Sequence, residues 1–144
     1  MMDSLMEDLA EDECFDLLKR HHFGRVAFAE GVDLPPVIMP LNYLVDANTV
    51  VVRTDPDSRL GGALRDALVT FEIDGIDQPQ RTGWSVVVSG RAQEVVDPGD
   101  LRELNQTPLL PWAPGDRSQY VRITPGSVTG RRISVADLPS NWWG

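Results

Sequence analysis

Apolar and polar residues alternate with a period of two along much of this chain, which predicts β-strands more often than helices. Gly24–Ala29 reads as a first strand. Residues 36–46 read as a second, with Val37, Met39, Leu41, Tyr43 and Val45 on one face and Ile38, Pro40, Asn42 and Leu44 on the other. The segment Asp46-Ala47-Asn48-Thr49 is a hairpin turn into a valine-rich third strand, Thr49–Thr54. Val69–Ile73 and Trp84–Val96 follow as strands, with the polar stretch Asp74–Thr82 between them as a loop. Tyr120–Ile123 is a sixth strand, and Ser127–Ile133 either continues it or forms a separate last one. Two residues interrupt the regular pattern. Pro40 cannot donate to a ladder, so it predicts an edge, a bulge or an opening beside a ligand site. Gly90 predicts a bend or a close approach of another backbone.

Helical spacing is confined to short stretches. Cys14, Leu17, Leu18 and His21 share one face of a helix over residues 8–22. Asp8 and Glu11 have the spacing of a capping box, and Gly24 is a stop. Lys19, Arg20, His21 and His22 suit the negative end of the helix dipole; a catalytic role for the histidine pair is the alternative. Arg59–Ala67 is a second short helix with Ser58 near its N-cap, and Pro98 opens a third over DLRELN. Six or seven short strands with few helices predict a mainly β fold, a small closed or nearly closed barrel. The connections are too short for parallel crossovers, and no GxGxxG follows the first strand.

Length and charge narrow the function classes. The 144 residues are enough for one domain spanning 1–144. A net charge of −9 argues against a broad grip on nucleic acid or an anionic membrane, though not against a local basic pocket. No apolar run reaches the roughly 20 residues of a membrane span. The acidic start MMDSLMEDLAEDE lacks the features of a signal peptide, so the expected location is cytoplasmic. The single cysteine, Cys14, reads as a small core residue, and two adjacent histidines offer no metal-site spacing.

The chemistry concentrates after the first hairpin. Arg53, Thr54, Ser58 and Arg59 bring two guanidinium forks and two hydroxyls close to a helix start, a combination suited to a phosphate. A surface network of these arginines with Asp55 and Asp57 is the alternative. Trp84 reads equally as core or as a flat platform. Trp142 and Trp143 read as a packing or dimer contact.

The succession PLNY, VVRT, Ser-Arg-Leu, TFEID, GWSVVVSGRA and ITPGSVTGRRI, from about Glu13 to Ile133, resembles the pyridoxamine 5′-phosphate oxidase-like family. The resemblance implies a six- or seven-stranded split β-barrel with FMN at the interface of a homodimer. It implies that Pro40, Leu41, Asn42 and Tyr43 flank the flavin ring, with Arg53 and Thr54 near the ribityl chain and phosphate. Ser58 and Arg59 would grip the phosphate, and Trp84 and Ser85 would reach the flavin. Trp112 and Arg131 would approach from the partner chain.

Two departures refine this reading. Leu60 stands where the oxidase proper has a lysine, which shifts weight onto Arg53 and Arg59. The Arg-x-His that holds the vitamin substrate is replaced by Arg131-Arg132-Ile133-Ser134. The expected activity is therefore an FMN-dependent oxidoreductase acting on a small molecule such as a quinone or nitro compound, and not a true pyridoxamine phosphate oxidase. No residue identifies itself as a general acid or base. A split barrel using deazaflavin or haem, and a flavin carrier or sensor without turnover, are the alternatives.

Overall fold

Alternation becomes burial over the second and third strands. Leu41 and Tyr43 turn inward, with Val37, Met39 and Val45 packed against the same core, while Ile38 and Pro40 face outward. The computed structural model describes residues 6–109 and 118–134. In chain order the strands are β1 (Met6–Asp8), β2 (Phe23–Phe28), β3 (Val37–Asp46) and β4 (Thr49–Thr54). They continue with β5 (Asp66–Asp77), β6 (Thr82–Glu94) and β7 (Gln119–Ser134). Among the described residues three helices accompany them: α1 (Glu11–Arg20), α2 (Arg59–Ala63) and α3 (Pro98–Asn105).

The strands pair antiparallel in the order β1-β7-β4-β3-β2-β5-β6, and β6 pairs back onto β7. Six strands therefore close a barrel, and β1 extends the sheet beside the far end of β7. The interior holds Val26, Phe28, Val50, Val52, Phe71, Ile73, Val86, Val88, Val121 and Ile123, all buried. Removing each such side chain from water contributes roughly 1.5–3 kcal/mol. Leu60 and Leu64, of α2 and its C-cap, join this core near the junction of β4 with β7; Cys14, Leu17 and Leu18 of α1 join it elsewhere. Tyr43 ties α1 down, its phenol donating to the Leu18 carbonyl at 2.6 Å. A second cluster lies outside the barrel, where Leu104 and Leu109 cover Val51 and Tyr120.

Several boundaries differ from the sequence reading. Helix α1 begins at Glu11 and ends at Arg20, and Ala10 caps it without a side-chain bond. Asp8 belongs instead to β1, opposite Arg131, and Leu9 N donates to the Gly130 carbonyl at 2.9 Å. Pairing with the edge of β7 thus displaces the local capping box. Helix α2 stops at Ala63 rather than Ala67, since Asp66 already pairs with Gln93 in the β5–β6 ladder. Most of the expected loop at 74–82 is strand as well. That hairpin runs through polar residues, held by ladder bonds rather than by a buried face, and turns at 78–81 with Arg81 at φ 56°. Gln119–Ser134 is one strand.

The hairpin turn at Ala47-Asn48 has both residues at positive φ, the type I′ geometry that matches strand twist. Gly90 sits at the bulge where the β6–β7 register shifts. A methyl group there would stand 2.0 Å from the Thr124 carbonyl oxygen, which belongs to rigid backbone. Gly90→Ala is therefore expected to destabilise the fold by at least about 2 kcal/mol in urea unfolding, with barrel closure as the feature lost.

Candidate functional site

The β3–β4 ladder is short. It runs from Asp46↔Thr49 to Tyr43↔Val52 and goes no further. Beyond that point β4 continues with β7, through Arg53↔Tyr120 and Thr54↔Gln119. Among the described residues, the first half of β3, Val37 to Leu41, is laddered to β2 alone. Pro40 lies in this half, so of the edge, bulge or opening that it predicted the structure shows an edge: a residue without an N–H sits where the strand is laddered on one side.

The loop after β4 is locked by its own hydroxyls. Thr54 is 3% exposed and its hydroxyl donates to Gln119 Oε1 at 2.8 Å. Gln119 Nε2 donates in turn to the Gly61 carbonyl at 3.1 Å. Ser58 Oγ donates to the Asp55 carbonyl at 2.7 Å and accepts the Gly61 N–H at 3.0 Å. Gly61 has no room for a side chain, because a Cβ would stand 2.0 Å from the Asp55 oxygen. Thr54 and Ser58 therefore shape the loop from within, where the sequence reading had them face an anion. Likewise Leu41 and Tyr43, 4% and 1% exposed, turn their side chains into the core. Toward the outside of the barrel they offer backbone only. Burial also pushes the Tyr43 phenol far up.

Arg53 precedes the locked loop on β4, and Arg59 follows it at the start of α2. Arg53 lies with its Cζ 5.3 Å from the centre of the Tyr120 ring, and Nη1 donates to the Leu109 carbonyl at 3.4 Å. Arg59 has a side chain 61% exposed. Its Nε and Nη2 donate to the two carboxylate oxygens of Glu30, on the loop between β2 and β3. The hydrogen bonds from Arg59 hold the Glu30 carboxyl below its ordinary range, and the same pairing raises the Arg59 value. The expected alternative partners, Asp55 and Asp57, hydrogen-bond within their own turn, Asp57 N donating to Asp55 Oδ1 at 2.9 Å.

A cleft of about 630 Å³ adjoins the open edge. Asn42, Leu44 and Asp46 of β3 form one wall; Leu104 and the stretch Thr107–Leu109 form the other, with His22 at its margin. Its size is within the range of small-molecule sites. Sequence reasoning missed Glu30, and missed this cleft. No local signal marks Glu30, which reaches Arg59 from 29 positions away. The cleft depends on how α3 sits over the barrel.

The other expected residues lie elsewhere in the chain. Trp84 is half-buried; its indole fills the space above Gly75, and its ring centre is 4.8 Å from that of His21. Ser85 and Arg131 are cross-strand partners. They sit at the opposite end of β6 and β7 from Thr54 and Gln119. Trp112, Trp142 and Trp143 lie outside the described residues. Cys14 is buried, and burial first, then Glu13, raises its thiol, which suits a core residue. Among the described residues no group of three His, Cys, Asp or Glu side chains could hold a metal ion, and no helix is long and apolar enough to cross a membrane.

The Glu30–Arg59 pair sets a pH expectation. Because the folded-state value of Glu30 lies below its ordinary 4.5, the pairing is complete above that pH and is lost as pH falls through the folded value. Carboxylate titration by NMR should place Glu30 below 4.5, and Arg59→Ala should move it back up.

Comparison with known proteins gives the family and the fold. A family profile described as pyridoxamine 5′-phosphate oxidase matches residues 10–132. The uncharacterized protein Rv0080 of Mycobacterium tuberculosis is 39% identical over 135 residues, covering 90% of this chain and 86% of its own. Among solved structures, the FAD binding protein from Mycobacterium smegmatis is 38% identical with a TM-score of 0.76, covering 88% of this chain and 98% of its own. An FAD-binding protein from Mesorhizobium loti is 27% identical with a TM-score of 0.70, covering 90% and 99%. With the split barrel, the open β3 edge and these matches together, the chain belongs to the pyridoxamine 5′-phosphate oxidase-like family.

Proposed function

We propose that the protein is a flavin-dependent oxidoreductase that seats the flavin phosphate at Arg59 and Arg53. The observation that carries this reading is the half of β3 that, among the described residues, is laddered on one side only, together with an exposed Arg59 that pairs with Glu30 on the loop leading into β3. An exposed strand edge offers backbone donors and acceptors to the polar edge of a flavin ring, and guanidinium forks match phosphate oxygens. The donor set fits the cofactor, with one change from the sequence expectation: the headgroup meets charge, while Thr54 and Ser58 hold the loop that presents it.

The bound flavin supplies hydride or electron transfer. The chain's own residues do the rest. Pro40 and Asn42 flank the ring, and the loop locked through Gln119 and Gly61 fixes where Arg59 starts. The adjoining cleft, walled by Leu44, Leu104, Pro108 and Leu109, excludes water and receives a small electron acceptor of the quinone or nitro class. The working unit is a homodimer in the cytoplasm, in which Trp84, Ser85 and Arg131 serve the flavin of the partner. Trp112 belongs to the same proposed contribution.

FMN is the expected cofactor, and FAD is the second reading because two relatives are FAD-binding proteins. Either flavin carries a phosphate for the same seat, so titration with both, followed by flavin fluorescence, separates them. Arg59→Ala should weaken the bound flavin by about 1.5–3 kcal/mol, the worth of charge-assisted hydrogen bonds. An unchanged affinity removes Arg59 from the seat. Sedimentation of the flavin-loaded protein should give a dimer, and a monomer that holds flavin tightly would rule out the shared site.

A further inference from the structure

Arg59 already has an anion. Glu30 places its two oxygens against Nε and Nη2, the same fork that a phosphate would use in a two-bond contact. We infer that Glu30 is an internal competitor for the anion seat, so that phosphate entry displaces Glu30 and releases the loop that carries it. This inference rests on the flavin-phosphate reading of Arg59.

Three features support displacement over a permanent tie. The pair is exposed, with side chains 61% and 27% accessible, and exposed pairs are weak. A phosphomonoester brings close to two negative charges at neutral pH and a carboxylate one, so the guanidinium gains by the exchange. The loop is also lightly held. Between Phe28 and Val37, the side-chain hydrogen bonds among the described residues are those from Arg59 to Glu30. Val32 and Leu34 stand exposed, Gly31 follows Glu30 directly, and Asp33 sits at φ 64°. Nothing apolar would have to be pulled from the core for this segment to move.

The energetic consequence is a reduced apparent affinity. A seat that is open only part of the time binds its ligand more weakly by that fraction. Glu30 is thus a residue that sets the affinity of the seat without touching the ligand.

Equilibrium binding of FMN and of riboflavin to the full chain tests this, using wild type, Glu30→Gln, Glu30→Ala, Arg59→Ala and Glu30→Gln/Arg59→Ala. Both Glu30 variants should bind FMN roughly two- to five-fold more tightly, the range expected for releasing an exposed ion pair. Riboflavin, which has no phosphate, should show no such gain, and the gain should vanish in the Arg59→Ala background. Amide hydrogen exchange over residues 29–36 should speed up in FMN-saturated wild type and in free Glu30→Gln. If Arg59→Ala weakens FMN but neither Glu30 variant tightens it, the competitor role is overturned. If Arg59→Ala leaves FMN unchanged, the seat itself is misplaced and the reading beneath this inference fails instead.

Discussion

An unpaired strand edge inside a closed barrel is costly, since buried backbone donors and acceptors must find partners. This structure confines that cost to one short stretch. β3 leaves β4 after Tyr43↔Val52, while β4 keeps its other edge on β7 from Val50 to Thr54. Pro40 removes one donor from the open edge. Leu60 and Leu64 are buried in the barrel core. Everything proposed for function depends on this parting of two strands.

The loop that follows shows how position is enforced. Thr54, Gln119 and Gly61 form a buried chain of hydrogen bonds between β4, β7 and α2. Ser58 caps α2 and closes the Asp55 turn. These bonds carry no ligand chemistry, yet they decide where Arg59 emerges. Buried and fully satisfied, such a network holds geometry more tightly than exposed contacts do.

Charge is handled locally in a chain of net charge −9. Arg25 pairs with Glu72 and Asp74, Arg91 with Asp66, and Arg122 with Asp46. Arg59 follows the same habit with Glu30, but with a side chain 61% exposed. An acidic protein with a basic seat can keep that seat satisfied by one of its own carboxylates until a stronger anion arrives.

The alternation in VIMPLNYLV, the turn at Ala47-Asn48, the valines of β4, the Ser58 cap and the close approach at Gly90 were all readable from local residue types. Each reflects a constraint that acts within a few positions: pleat, turn dihedrals, capping or the absence of a Cβ. The strand edge at Pro40 was readable for the same reason. Other features were settled only by contacts between distant segments. Pairing with β7 drew Asp8 into a strand and away from its helix cap, and ladder bonds carried the polar hairpin through 74–82. The inward turn of Thr54 followed from Gln119, the Glu30–Arg59 pair from the meeting of two loops, and the cleft from α3 packing over β4 and β7 beside β3. Local sequence specifies which conformations a segment prefers; which hydroxyl is consumed, which carboxylate reaches which guanidinium and where a cavity remains are properties of packing, because the partner is supplied by a part of the chain that no window of neighbours contains.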